Sequence, residues 1–477
     1  MTETDTKPAH EDSGDDKVVA WKTWVVTSVA AILTGFAAYY FICAETWGGT
    51  FMDMLQGKES LFGGKITGIW AVLIPAGFMA CMMMLIVVVQ RKWFAGTEGT
   101  GIPQAMAALK IGERPERSVM LSVRISIGKI LLLSGALFSG ITVGREGPSV
   151  HVGACFMYLC TKFCKLPTFL VERGLILAGS AAGIAAAFNT PIAGIIFCFE
   201  EVGHLFDKKS VVCIIRTTAL ACGVCVFFMG NYYFYGNENR EALIPLGYKT
   251  TDGTFLEDFR QWMAVPIIAI FAGFLGGWFG RGVVWASRIT SPYLVNHPWK
   301  TGAALGLGLA VIAVCSFGES YSGGYAQAKQ MLLDAHETGA ATASWYYPFA
   351  KAGASFISLI SAIPGGLFDP SLATGAGLGQ LCYPLFNNQI APGIGLPEVM
   401  MIFMCAYFTG VVQSPITVFT IMFEMTDAYG MILPLMITAL LAAWIANMIC
   451  KPSIYDALSN QFLEAKGLSK FAPKEEE

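Results

Sequence analysis

The stretch Gly144-Arg145-Glu146-Gly147-Pro148 decides how this chain is read. It follows an apolar, charge-free run from Ile130 to Val143. A carboxylate at the end of a membrane-depth segment is expensive unless something uses it. The flanking glycines and Pro148 read as a strand or loop opening into a new helix, with the proline near its first turn. A helix N-terminus carries roughly half a positive charge and several free N–H groups. Glu146 therefore occupies a ready-made anion site. An anion can replace it there, and protonation can release it. That is the chemistry of a gate shared by anions and protons.

Composition sets the frame for that gate. Apolar and aromatic residues make up 55% of the 477 positions and charged residues only 14%, against about 25% charged in soluble domains. This is the balance of a polytopic membrane protein, and the apolar runs below are expected to be helices, an all-α fold. The net charge of −3 leaves no broad basic surface for nucleic acid. The polar, acidic tail Thr2–Asp16 precedes the first apolar run, so no cleavable signal peptide is expected. The thirteen cysteines lie mostly inside apolar segments without metal-ligand spacing and read as small buried hydrophobes.

Charge-free stretches long enough to span a bilayer, about 20 residues, run Thr23–Ala44, Ile66–Gln90, Leu175–Phe199, Thr217–Asn237, Val399–Phe423 and Ala428–Cys450. Shorter ones are Ile130–Gly144, Trp262–Gly280, Thr301–Gly318 and Ala352–Phe368. Many are interrupted by Gly, Pro, Asn or Ser. Broken helices at membrane depth occur where they line a cavity, and they point to a transporter's binding site. Loop charges at Arg91–Lys92, Arg114–Arg117, Lys162–Lys165 and Lys208–Lys209 suit the cytoplasm. The acidic loop Gly236–Gln261 suits the outside. Both tails, residues 1–19 and 468–477, are then cytoplasmic, in a multi-pass protein of the cell membrane.

The chain also echoes itself. Gly144–Pro148 and Gly366-Leu367-Phe368-Asp369-Pro370 share the frame G-x-x-x-P. Thr190-Pro191-Ile192 and Ser414-Pro415-Ile416 each lead to a Phe-Glu pair, Phe199-Glu200 and Phe423-Glu424. Pro148 and Pro191 are 43 positions apart, Pro370 and Pro415 45. This predicts two related halves, about 66–235 and 262–450, with the substrate site at their interface. Four distant pieces share one chemistry: Gly99-Thr100-Gly101-Ile102-Pro103, Gly144–Pro148, Gly366–Pro370, and Tyr455 at the start of the last helix. Glycines let backbone N–H groups approach a ligand, and helix N-termini hold an anion without a trapping countercharge. Thr100 and Tyr455 add hydroxyl donors.

With these motifs the chain resembles the CLC family of chloride channels and chloride/proton antiporters, from about Trp21 to Gly467. The family's GSGIP stands as Gly99–Pro103 with Thr100 for serine, and GREGP and GxFxP stand intact. The resemblance implies the CLC fold with two inverted repeats, a homodimer in the lipid bilayer, and a separate pathway in each subunit. Chloride and protons are its substrates, and no cofactor, metal or enzymatic activity is expected. It implies Glu146 as the gating glutamate and Glu201 as the internal proton-transfer residue. Thr100, Tyr455 and the N–H groups of Leu367 and Phe368 correspond to the central anion site. Arg145, Gly147 and Asp369 lie where amides surround an outer site, and Lys129 matches a buried lysine that favours anions. Other readings stay open residue by residue. Glu201 can be an ordinary cytoplasmic-end carboxylate beside Glu200, His204, Asp207 and Lys208. Tyr455 can be an interfacial anchor, and Lys129 a helix-end residue reaching for the interface. Glu424 reads as structural. Thr100 leans toward chloride, since nitrate-preferring members carry proline there. Asp369, an acid near the outer site, is expected to point away from the pathway or to be paired. The alternatives in function are a passive chloride channel of the same fold and, with no nucleophile–base pair or metal cluster to support it, a membrane enzyme.

Overall fold

The structure, a computed structural model, describes residues 14–60, 65–111, 115–163, 172–203, 208–230, 235 and 255–471. Most of the acidic loop Gly236–Gln261, both extreme tails, Arg114, Lys165, His204 and Asp207 lie outside these residues. Among the described residues there are seventeen α-helices and no strand longer than one bridge. The first eight are α1 (Gly14–Leu55), α2 (Trp70–Trp93), α3 (Ile102–Lys110), α4 (Val123–Phe138), α5 (Glu146–Leu159), α6 (Glu172–Phe188), α7 (Pro191–Phe197) and α8 (Lys208–Met229). The next eight are α9 (Phe255–Asn296), α10 (Pro298–Cys315), α11 (Tyr325–Thr338), α12 (Tyr347–Ile360), α13 (Phe368–Leu385), α14 (Leu396–Val412), α15 (Pro415–Thr426) and α16 (Ile432–Ile449). A last helix, α17 (Ile454–Ala465), follows.

The two sets of eight correspond in order. Helix α5 packs on α6 as α13 packs on α14, and α1 packs on α8 as α9 packs on α16. Local chemistry repeats as well. Gly101 and Gly324 both have φ of 100° at the starts of α3 and α11. Just inside those helices, Gln104 and Gln327 each donate to a backbone carbonyl six residues earlier, at Glu98 and Tyr321. The halves meet at an antiparallel bridge in which Gly144 and Gly366 exchange both N–H···O bonds, at 2.8 and 2.6 Å. Equivalent residues bonding reciprocally place a two-fold axis between them, and the halves are inverted repeats. The carboxylates behave in the same way. Glu424 accepts from the Ile192 and Ala193 amides at the start of α7. Glu200 accepts from the Ile416 and Thr417 amides at the start of α15. Glu424 is thus a helix cap, as expected, and Glu200 is its mirror.

Two stretches that hydropathy reads as single spans are each two helices. Leu175–Phe199 breaks between α6 and α7, and Val399–Phe423 breaks between α14 and α15. Pro191 and Pro415 have no N–H to continue the ladder and push the preceding residue out of the helical region. Asn189 and Gln413 take up positive φ of 56° and 64° at the breaks. Two other stretches, Thr23–Ala44 and Trp262–Gly280, were cut short in the reading by flanking charges. Both lie in helices of 42 residues, about 63 Å long against a hydrocarbon core of about 30 Å. Seven helical segments among the described residues are long and apolar enough to cross a membrane. Their outer faces carry exposed Leu131, Phe227, Trp278, Leu307 and Trp444, as lipid contact requires. This is a multi-pass membrane protein.

Helices α5, α6, α13 and α14 are buried nearly all round. Small residues allow this close packing. A Cβ on Gly179 would lie 2.8 Å from the Ala154 nitrogen and closer still to the Gly153 backbone. Close backbone approach of this kind holds helices together where no hydrophobic force acts between them and lipid. Gly179→Leu is expected to destabilise the fold by about 1–3 kcal/mol or more through overpacking, read as a lower unfolding temperature in detergent. Gly49→Ala, where a Cβ meets nothing within 4 Å, should leave that temperature unchanged. Equal temperatures for the two variants would contradict the packing.

Candidate functional site

The bridge between Gly144 and Gly366 sets two helix starts, α5 and α13, against each other at the centre of the protein. Glu146 is the first residue of α5 and is fully buried. Its Oε1 accepts a hydrogen bond of 2.7 Å from the Asp369 amide in the first turn of α13. The carboxylate thus crosses from one half to the first turn of the other. It fills the space where a side chain on Gly144 or Gly366 would stand, which accounts for glycine at both positions. Its Oε2 has no hydrogen-bond partner.

The loop Gly99–Gly101 packs on the same turn of α5. A Cβ on Gly147 would lie 2.9 Å from the Thr100 Cβ, and one on Gly101 would lie 2.9 Å from the His151 ring. Gly99 and Gly101 have φ of 61° and 100°, a region costly for residues with a Cβ. Thr100 is buried between them, and its Oγ1 has no hydrogen-bond partner. Tyr455, in the first turn of α17, is fully buried and its hydroxyl is equally unpartnered. That hydroxyl lies within electrostatic reach of both Glu146 and Glu201. The Tyr455 ring is 6.4 Å from Phe368, which also packs on Phe188 and Phe408 at 5.9 and 4.6 Å. Buried polar groups are nearly always hydrogen-bonded, and each exception asks for an explanation. Two hydroxyl groups without a hydrogen-bond partner thus lie beside the starts of two helices, Thr100 at α5 and Tyr455 at α13.

Lys129 lies in the middle of α4, not at its end, and is fully buried. Its Nζ donates to the carbonyls of Thr97 and Gly99 at 3.0 and 2.6 Å. It does not reach for an interface. It braces the loop that carries Thr100. Tyr455 is likewise no interfacial anchor. Glu201 is buried and accepts a short hydrogen bond from the Ser414 hydroxyl, at the break before α15. It is therefore not an ordinary surface carboxylate. Leu367 and Phe368 stand at the start of α13, both buried.

Two features went unread in the sequence. Lys351 lies fifteen residues before Gly366, as Lys129 lies fifteen before Gly144. Its buried Nζ donates to the carbonyls of Ser320, Tyr321 and Ser322 at 3.2, 3.0 and 3.3 Å. The spacing alone could have revealed it. Ser414 as the partner of Glu201 left no signal, because 213 positions separate them. Asp369 corrects an expectation. It neither points away nor pairs with a cation. It is fully buried, neither carboxylate oxygen meets a donor, and it faces the carboxyl of Glu146.

Two cavities open toward these residues from separate surroundings. One, of about 440 Å³, is lined by Glu98, Gly99, Thr100 and residues of α17. The other, of about 640 Å³, is lined by Glu45, Arg145 and Tyr325. Arg145 pairs with Glu45 of α1. Among the described residues, no three His, Cys, Asp or Glu side chains are grouped to hold a metal.

A multi-pass helical protein with a polar site buried between inverted halves is the class this geometry defines. A family model described as "Voltage gated chloride channel" matches residues 82–447, and the chain belongs to that family. It is 26% identical over 444 residues to the H(+)/Cl(-) exchange transporter ClcA of Yersinia pestis bv. Antiqua (strain Angola), covering 91% of this chain and 86% of the relative. It is 28% identical over 399 residues to the H(+)/Cl(-) exchange transporter 5 of Oryctolagus cuniculus, covering 71% of this chain and 47% of that longer protein. The fold is shared with a slow cyanobacterial Cl-/H+ antiporter solved by X-ray crystallography, at a TM-score of 0.75 and 22% identity, over 94% of this chain and 99% of that one. A CLC-type fluoride/proton antiporter shares it at 0.69 and 19%, over 92% and 98%.

Replacing Lys129 by Met leaves the Thr97 and Gly99 carbonyls without a donor. An expected loss of about 1–3 kcal/mol should appear as a lower unfolding temperature. An unchanged temperature would mean that water takes over both bonds.

Proposed function

We propose that this protein exchanges chloride for protons across a membrane, with Glu146 as the gate. The observation that carries the reading is the Glu146 carboxylate, held by the Asp369 amide where the N-termini of α5 and α13 meet. Relatives named as H(+)/Cl(-) exchangers support it. Ionised Glu146 takes the amide that an anion would use. A hydrogen bond to a charged group is worth about 1.5–3 kcal/mol, so a chloride ion arriving with similar bonds competes on nearly equal terms. Protonation removes the charge, weakens the bond and frees the position. Chloride then gains the amides at the start of α13, Leu367 and Phe368 among them. It also gains the hydroxyls of Thr100 and Tyr455, which have no other partner. Helix dipoles and hydroxyls hold it without a full countercharge, so it can also leave.

Glu201 serves as the proton's inner station. Tyr455 lies within electrostatic reach of both Glu201 and the gate, and Ser414 donates to Glu201. Water between Glu201 and Glu146 carries the proton across the remaining distance. Because anion and carboxylate compete for one place, proton and chloride movements are linked. We place the protein in the cell membrane as a homodimer with cytoplasmic termini and one pathway per subunit.

Glu146→Ala in liposomes should leave chloride flux but lower chloride-driven proton movement by about a hundredfold or more, the usual scale for losing a positioned proton-transfer group. Glu201→Gln should depress proton movement while chloride still flows. A Glu146→Ala protein that still drives protons uphill would remove the gate from this residue. Unchanged coupling in Glu201→Gln would place the inner proton station elsewhere.

A further inference from the structure

Asp369 is an acid in the third Gly-rich motif, beside the gate that the proposed function assigns. It is fully buried, and no donor reaches either of its oxygens. Its own amide holds the Glu146 carboxylate at 2.7 Å, and its carboxyl contacts the Glu146 carboxyl. Glu146 Oε2 also lacks a partner. Two carboxyl groups in contact are two sets of acceptors, and they attract each other only with a proton between them. Two like charges enclosed together are costly, so such pairs ionise as a unit in two steps.

The cation beside the pair, Arg145, is shared with a third carboxylate. Arg145, at the start of α5, is engaged by Glu45 of α1, and Tyr325 of α11 stands 5.7 Å from its guanidinium. Tyr235, whose ring is 5.8 Å from that of Tyr325, faces both carboxyls. Tyr455 approaches Glu146 from the other side. Lys351 of α12 is a buried amine, and three carbonyls take it up. A cavity of about 640 Å³ lies on the Arg145 side, lined by Arg145, Glu45 and Tyr325.

We propose that Asp369 and Glu146 form a proton-sharing carboxyl pair, in which Asp369 receives the proton from the vestibule and passes it to the gate. In the transfer the O–H bond on Asp369 breaks as the O–H bond on Glu146 forms, and no other group changes. Asp369 is thus a proton-transfer residue that serves the gate. With Asp369 present, the gate keeps its proton to higher external pH, because losing it would leave two charges in one enclosure. This inference rests on Glu146 as the gate.

The test is turnover against external pH in liposomes for the parent, Asp369→Asn and Asp369→Ala. Transport needs a protonated gate, so turnover falls as pH rises. Both variants remove the like charge, and the fall should move to lower pH by about one unit or more. In a Glu146→Ala background, Asp369→Asn should leave the pH profile of the uncoupled flux unchanged. If either variant transports with the parent's profile, Asp369 shares no proton with the gate and the inference fails. If Glu146→Ala still couples chloride to protons, the gate assignment fails instead, and the two failures are thereby distinguished. The alanine variant introduces neither a donor nor a larger group, so it keeps the test open if the asparagine variant does not fold.

Discussion

Everything at the centre of this protein depends on the pair of backbone hydrogen bonds between Gly144 and Gly366. They tie one inverted half to the other at equivalent residues of the two halves. They also fix the starts of α5 and α13 close enough for the first side chain of one helix to reach an amide of the other. A Cβ on either glycine would enter the volume that the Glu146 carboxylate fills. One constraint on backbone approach therefore determines the repeat interface, the convergence of two helix dipoles and the placement of the gate.

A second principle follows from the low dielectric. Several ionisable groups lie in the interior or half-buried here, and backbone groups rather than opposite charges answer them. Lys129 and Lys351 each bond only to carbonyls. Glu146, Glu200 and Glu424 bond to amides. Partial charges satisfy a buried ion without cancelling its field. The lysines brace the loops by hydrogen bonds to their carbonyls, and the carboxylate stays exchangeable. A salt bridge at Glu146 would give a fixed structural ion pair, since breaking a buried pair costs about 3–5 kcal/mol. Arg145, the adjacent cation, is committed to Glu45 instead.

Much of this was legible in the sequence, for reasons that can be named. The two G-x-x-x-P frames and the two Pro-Ile…Phe-Glu segments exposed the repeat, because each is local and carries backbone punctuation that only Gly and Pro provide. Long apolar runs exposed the membrane class. The breaks at Asn189 and Gln413 were less visible, since hydropathy does not register a change of φ. The lengths of α1 and α9 were hidden because charges such as Glu45 and Arg281 interrupt an apolar run without interrupting a helix. The contact between Ser414 and Glu201 was out of reach because no local pattern encodes a pairing across the two-fold axis. The environment of Asp369 was misjudged for the opposite reason. The expectation assumed that a buried acid must find a cation or leave, and it did not consider a second carboxyl as its neighbour.

The central claim is that anion and proton compete for one position and so move together. The most direct measurement uses the unmodified protein in liposomes with an outward chloride gradient, no proton gradient and a pH electrode outside. The account predicts that protons move up their own gradient and reverse direction when the chloride gradient is reversed. Chloride flux without any proton movement would contradict it and make the protein a passive chloride pathway on the same fold.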